Sequence, residues 1–190
     1  MLPIYILAGG KSSRFGSDKA RADVNGEPLL KRIARVLAPV ASRVSVVADC
    51  PGKYDDLGLR TLSDVRPGLG PIGGLLTALS DLDAPGWLLL CSCDFVAMNA
   101  AWVETLASAR APDIQAIAFK GERIEPLFAL YHSSLLHAIE RRIDAGELSP
   151  SQVIQSVPNA LLPLPANWPE LAHVNTREEL ARAHTPNCSR

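Results

Sequence analysis

The sequence predicts an α/β protein: a three-layer sandwich, a mostly parallel sheet with helices on both faces. Three observations lead there. Continuous apolar runs such as "LPIYILA" and "WLLLC" alternate with segments whose apolar residues recur every three to four positions. Continuous runs suit strands covered on both faces by helices. Residues able to do chemistry fall just after these runs, at the carboxyl edge where open α/β sheets bind ligands.

Leu2–Ala8 reads as the first strand. It lacks a basic flank and runs straight into glycines, so it is a strand and not a secretion signal, which places the chain in the cytoplasm. Leu29, Leu30, Ile33, Val36 and Leu37 share one helical face, and Pro28 suits that helix's first turn. Arg43–Asp49 and Leu59–Val65 are the second and third strands, and "PIGGLLTALSDL" is a helix with Ile72, Leu75, Leu76 and Leu79 inward. "WLLLCSCD" is the fourth strand, and Asn99 caps a short helix after it. "DIQAIAFK" and "PLFALYH" are strands joined by the polar turn "GERIE". Leu135, Leu136, Ile139 and Ile143 mark a helix ending near Gly146. Ser149 with Gln152, and Thr176 with Glu179, have the spacing of capping boxes. Residues 1–184 read as one domain and 185–190 as a disordered tail.

Composition narrows the function. The chain has 190 residues, is 47% hydrophobic and 21% charged, and carries a formal net charge of -1. A protein that coats nucleic acid should be more basic, and no apolar run has the length of a membrane span. Cys91 and Cys93 lie two apart on one strand face, but no second Cys or His pair matches them, so they read as buried thiols. Cys188 is incidental.

"LAGGKSSRFGSDK" (residues 7–19) is not a P-loop, because the required first glycine is Tyr5. Gly9 and Gly10 nevertheless let backbone amides approach an anion, and Arg14 and Lys19 add fixed positive charge, as a polyphosphate requires. Lys11, at the loop tip, contributes less. A rival motif, "GLGPIG" (residues 68–73), fits the dinucleotide pattern with Asp94 downstream. It follows the third strand instead of the first and leaves the basic loop unexplained.

"LAGGKSSRFGSDKA", "NGEPLL", "DVRPGLGPIGGLLTAL", a "CD" ending a buried strand, "EPLFALYH" and "VNTREEL" together resemble the molybdenum cofactor guanylyltransferases over almost the whole chain. The resemblance implies a Rossmann-like fold and transfer of GMP from GTP to molybdopterin or molybdenum-molybdopterin, with Mg2+ as cofactor and pyrophosphate released. Leu7, Ala8, Gly9, Gly10 and Lys19 match the family's nucleotide loop. Asp49 stands at a base-side position where Asn is usual, Asp64 matches a GTP-contacting aspartate, Asp94 the magnesium ligand, and Asn175 a second polar group near the metal. Gly70 and Gly74 fall in the third nucleotide-contacting stretch. Proteins that make or receive the cofactor are implied partners. The chain departs from the family at Phe15, usually Met, and in lacking a proline after Asp94.

The mechanism expected is positioning and charge stabilisation, with Lys19, Arg14 and Asp94 as catalytic residues. An ionised phosphate oxygen needs no strong base, in keeping with the scattered histidines. Either Asp49 or Asp64 can read the guanine N–H donors. Pro71, Gly73 and Gly74 serve either close approach to base or ribose, or tight helix–sheet packing. Arg66 and Arg123 are within the compass of the pterin phosphate. Cytidylyl transfer to the same acceptor or to a sugar or polyol phosphate, and non-catalytic nucleotide or cofactor binding, are the alternatives; "LAGG" favours the purine.

Overall fold

The computed structural model describes residues 1–9, 16–96, 98–169, 173–174, 176 and 178–180. In chain order its elements are β1 (Leu2–Leu7), β2 (Asp23–Val24), β3 (Glu27–Pro28), α1 (Leu29–Leu37), β4 (Ala41–Ala48), β5 (Arg60–Ser63), α2 (Pro71–Ser80), β6 (Trp87–Ser92), α3 (Ala100–Ser108), β7 (Ala116–Lys120), β8 (Ile124–His132), α4 (Leu136–Asp144), α5 (Pro150–Gln155) and β9 (Asn159–Pro163), with short 3-10 turns between some of them.

Seven strands form one sheet in the order β5-β4-β1-β6-β8-β7-β9. β1 pairs in parallel with both β4 and β6, and β4 with β5. β8 is antiparallel to both its neighbours, β6 and β7, and a three-residue turn (121–123) returns the chain from β7 to β8 as a hairpin. The polar turn is therefore shorter than "GERIE": Lys120 already pairs with Ile124, so Ile124 and Glu125 lie on β8.

Successive residues of the apolar runs face opposite layers. Ile4, Ile6, Leu89 and Cys91 pack with Leu29, Leu30 and Ile33 of α1 and Trp102 and Leu106 of α3. Tyr5, Leu88 and Leu90 pack with Ile72, Leu75 and Leu79 of α2, Ile139 of α4 and Val153 of α5. This is the predicted three-layer, Rossmann-like arrangement. Full burial of each such Leu or Ile contributes roughly 1.5–3 kcal/mol.

Local signals also hold. Asn99 accepts from Ala101 N, Ser149 from Gln152 N, and Thr176 and Glu179 exchange both hydrogen bonds of a capping box. Cys91 and Cys93 are buried free thiols in one core layer. Pro28 is displaced from its expected place: it pairs with Asp23 at the end of β3 and precedes α1. β9, bounded by Pro158 and Pro163, is an edge strand that its short sequence did not announce. Among the described residues no helix is long and apolar enough to cross a membrane. The 185–190 tail lies outside the described residues.

Candidate active site

The strand register brings the predicted residues together. Leu7 is level with Val47 of β4 and Ser92 of β6, and Val47 is level with Leu62 of β5. Two residues further along each strand stand Gly9, Asp49, Asp94 and Asp64, one row across the carboxyl edge. Backbone bonds carry the ladder past the strand ends: Ala8 N donates to Val47 O at 2.9 Å, Asp64 N to Ala48 O at 3.1 Å and Cys93 N to Leu7 O at 3.0 Å. The chain turns left from β1 to β4 and β5, then returns to β6 on the right, so β1 is the topological switch point where such sheets bind ligands. The rival "GLGPIG" follows β5, the sheet's outer edge, and not β1.

Gly9 lies close against the backbone at the end of β4. A Cβ there would meet Asp49 N at 3.3 Å and Ala48 Cα at 3.4 Å. Tyr54, buried, places its hydroxyl 3.1 Å from Ala8 O and 3.1–3.2 Å from the Asp18 carboxylate. One phenol thus joins residues on either side of the glycine loop.

Lys19 sits in a 3-10 turn (Lys19–Arg21) capped by Asp18 and is only 8% exposed. Its Nζ donates to Val174 O at 2.6 Å, and Val174 N donates to Asp94 O at 2.9 Å. The backbone of one residue, Val174, therefore ties the two predicted catalytic residues together. Asp94 follows β6 and is followed by fully buried Phe95, whose ring packs on Trp168 at 4.9 Å and Phe128 at 5.4 Å. That packing gives the Asp94 turn a rigid base.

The structure adds two residues that the sequence did not single out. His173 Nδ1 lies 3.3 Å from Asp94 Oδ1, and its Nε2 lies 3.0 Å from Glu125 Oε2. Hydrogen bonds to Asp94 and then Glu125 raise the His173 pKa to about 9, outweighing burial. Burial works against ionisation of Asp94, but the bond from His173 holds its carboxyl below the usual range. The sequence left the histidines scattered; His173 reaches the row because the C-terminal segment returns onto the turn after β6, where Phe95 and His173 form an isolated bridge. Its place two residues before Asn175 in "HVNT" was the available signal.

On the other side of β1, Lys53 Nζ donates to Asp49 Oδ1 at 2.8 Å and holds that carboxyl low. Asp64 lies 3.4 Å from Thr77 Oγ1, and burial raises its carboxyl. Gly70 precedes α2 at φ 67° and ψ -146°, a conformation confined to glycine. For Gly74 and Gly73 the structure favours packing: added Cβ atoms would meet Leu7 Cδ2 at 2.5 Å and Arg66 O at 3.1 Å, respectively. Arg66 pairs with Asp144 at 2.6 Å, so it is not the free cation expected for a pterin phosphate; Arg123 is exposed. Gly10, Lys11, Arg14 and Asn175 lie outside the described residues, as does Cys188.

Residues 4–160 match the family model described as a MobA-like NTP transferase domain. The chain belongs to this family. A probable molybdenum cofactor guanylyltransferase from Deinococcus radiodurans is 43% identical over 151 residues, 77% of each chain. A molybdenum cofactor guanylyltransferase from Pseudomonas paraeruginosa is 33% identical over 188 residues, covering 95% of this chain and 93% of that one. The crystal structure of molybdopterin-guanine dinucleotide biosynthesis protein A from Archaeoglobus fulgidus superposes with a TM-score of 0.82 over 96% of both chains at 21% identity, a likeness of fold. The chain is thus a nucleotidyltransferase.

Proposed function

We propose that this chain transfers GMP from GTP to molybdopterin or molybdenum-molybdopterin, forming a guanine dinucleotide cofactor and pyrophosphate. The observation that carries the reading is the row of Gly9, Asp49, Asp64 and Asp94 at the switch point, with buried Lys19 tied through Val174 to Asp94. In a crevice at β1, the β6 side, with Lys19 and Asp94, suits phosphates. The β4 and β5 side, with Asp49 and Asp64, suits the base.

The acceptor's phosphate oxygen attacks the α-phosphorus of GTP. A new P–O bond forms, the bond to the bridging oxygen breaks, and pyrophosphate leaves with the electron pair. Lys19 meets the charge gathering there. Asp49 or Asp64 accepts from guanine N1–H and N2–H.

Asp94 fits a magnesium ion. It stands at the edge, and bonds from His173 and from the Ser92 side chain hold its carboxyl low in spite of burial, so it is a carboxylate able to ligate. The described residues hold no group of three or more His, Cys, Asp or Glu able to ligate a metal. A single carboxylate is enough for an ion that keeps waters and shares substrate phosphates. Magnesium held there with Asn175 would supply neutralising charge to the phosphate oxygens. The test is pyrophosphate release with molybdopterin and each of GTP, CTP and ATP, beside calorimetry with GTP and NAD. GTP-dependent release is expected. Turnover with CTP alone would make the chain a cytidylyltransferase, and NAD binding without GTP binding would overturn the reading.

A further inference from the structure

We propose that His173 and Glu125 are positioning residues that fix the Asp94 carboxylate for a divalent cation. The inference rests on the reading of Asp94 as metal ligand. Its basis is a chain of contacts between three separate segments: Glu125 on β8, His173 in the C-terminal segment and Asp94 after β6. His173 Nε2 meets Glu125 Oε2 at 3.0 Å, and Nδ1 meets Asp94 Oδ1 at 3.3 Å. Both ring nitrogens face carboxylate oxygens, so the ring bridges Asp94 and Glu125.

The ring itself is held. The Phe95 ring packs against it at 5.3 Å, the Phe95–His173 bridge fixes its backbone, and Lys19 binds the next carbonyl at 2.6 Å. Glu125 stands on β8 beside Ile124, which pairs with Lys120 of β7. A rigid ring on Oδ1, with the Ser92 side chain as the carboxylate's other partner, restricts rotation of the Asp94 carboxylate and so fixes the direction it presents to a cation. Asp94 and His173 are both half-buried, with side chains 25% and 35% exposed, so water orders them less than it would at the surface. Outer partners of a ligating carboxylate orient it in this way, and their loss weakens metal affinity about 10–100-fold. The roles differ by position: His173 acts directly on Asp94, and Glu125 acts through His173.

Calorimetry of GTP binding with and without Mg2+ isolates the contribution of the metal, and Mn2+ binding followed by electron paramagnetic resonance reads the ion itself. His173→Ala should reduce the metal-dependent gain in GTP affinity by about 10–100-fold, with metal-free GTP binding unchanged. Glu125→Ala should lose less, and His173→Gln, which retains one N–H, should recover part of the loss. Mn2+ affinity should follow the same order. If His173→Ala melts early, Glu125→Gln decides the matter at wild-type stability.

Wild-type metal dependence in His173→Ala and Glu125→Ala, beside its loss in Asp94→Asn, would overturn the proposal alone. Tighter metal binding in His173→Ala would also overturn it, by showing that the imidazole competes with the ion. An Asp94→Asn protein that keeps the full metal-dependent gain would remove the metal reading and the proposal with it.

Discussion

The two edges of the sheet each carry a cluster of charges, and they are finished differently. At the amino edge, Asp81 accepts from Tyr5 at 2.9 Å, from Arg43 at 3.1 Å, and from Arg60 at 2.6 and 2.8 Å. Both its oxygens are taken, and Arg43 also donates to Asp81 O and Asp83. At the carboxyl edge, Asp94 uses Oδ1 on His173, the Asp49 side chain is 60% exposed, and burial raises the Asp64 carboxyl. A carboxylate with both oxygens taken has nothing left to offer a ligand and contributes to stability. An unsaturated one, held by packing and not by its own partners, can bind. Charge density alone does not separate a site from a strut; the number of unused oxygens does.

That contrast breaks most sharply at Asp94. Asp94→Asn should lower guanylyl transfer on the order of 10³-fold, because a metal-bridging charge disappears while neighbours keep their packing. Circular dichroism should report an unchanged fold. Wild-type turnover at limiting magnesium would place the ion elsewhere. Lys19→Met comes next. It keeps much of the aliphatic stem but removes the donor, so single-turnover rates should fall about 10²–10³-fold with GTP binding reduced less. Because Nζ also holds Val174 O, the variant should loosen the His173 segment, visible as faster hydrogen exchange at Val174. Lys11→Ala should be milder; a dead Lys11→Ala beside an active Lys19→Met would put the phosphates at the other end of the loop.

Asp81 should behave in the opposite sense. Asp81→Ala strands Arg43 and Arg60 and should cost about 2 kcal/mol of folding stability, less than a fully buried network because Arg60 is half-exposed. Turnover of the folded fraction should match wild type. Burial opposes ionisation of Asp81, but hydrogen bonds from Arg60 and Tyr5 win, so its folded pKa is below its unfolded one. Its contribution is therefore complete above the unfolded value, near 4, and is lost as pH falls through the folded value. Urea midpoints measured from pH 6 to pH 3 should fall less steeply in Asp81→Asn than in wild type. Equal slopes would mean that other carboxylates carry the acid limb.

The legible part of the site was the row fixed by strand ends. Gly9, Asp49, Asp64 and Asp94 each follow an apolar run, and parallel register does the rest. His173 and Glu125 were hidden because their meeting depends on two long-range events: the return of residues 173–174 onto Asp94, and the insertion of β8 between β6 and β7. Reading "GERIE" as one turn concealed Glu125 by removing it from its strand. Tyr54 had no pattern at all, since its partners Ala8 and Asp18 lie 46 and 36 residues away. Arg66 showed the limit of counting cations: Asp144, 78 residues on, neutralises it.

The smallest expected effects come from one glycine at each edge. Gly74, on α2 behind the carboxyl edge, has no room for a methyl group: its Cβ would lie 2.5 Å from Leu7 Cδ2. Leu7 ends β1 and is partly exposed, so its side chain can turn aside, and the overpacking should cost only about 1 kcal/mol. The displacement is directed at the nucleotide loop, so KM for GTP should rise along with the loss of stability. Gly86, just before β6 at the amino edge, meets nothing within 4 Å of an added Cβ and has no positive φ. Gly86→Ala should gain about 0.4–1 kcal/mol by narrowing the unfolded ensemble, with KM unchanged. Thermal melts and initial rates on the two variants check both halves. If Gly74→Ala shifts stability but leaves KM at the wild-type value, Leu7 is packing support and not a nucleotide contact, and the binding region of the carboxyl edge begins at Gly9.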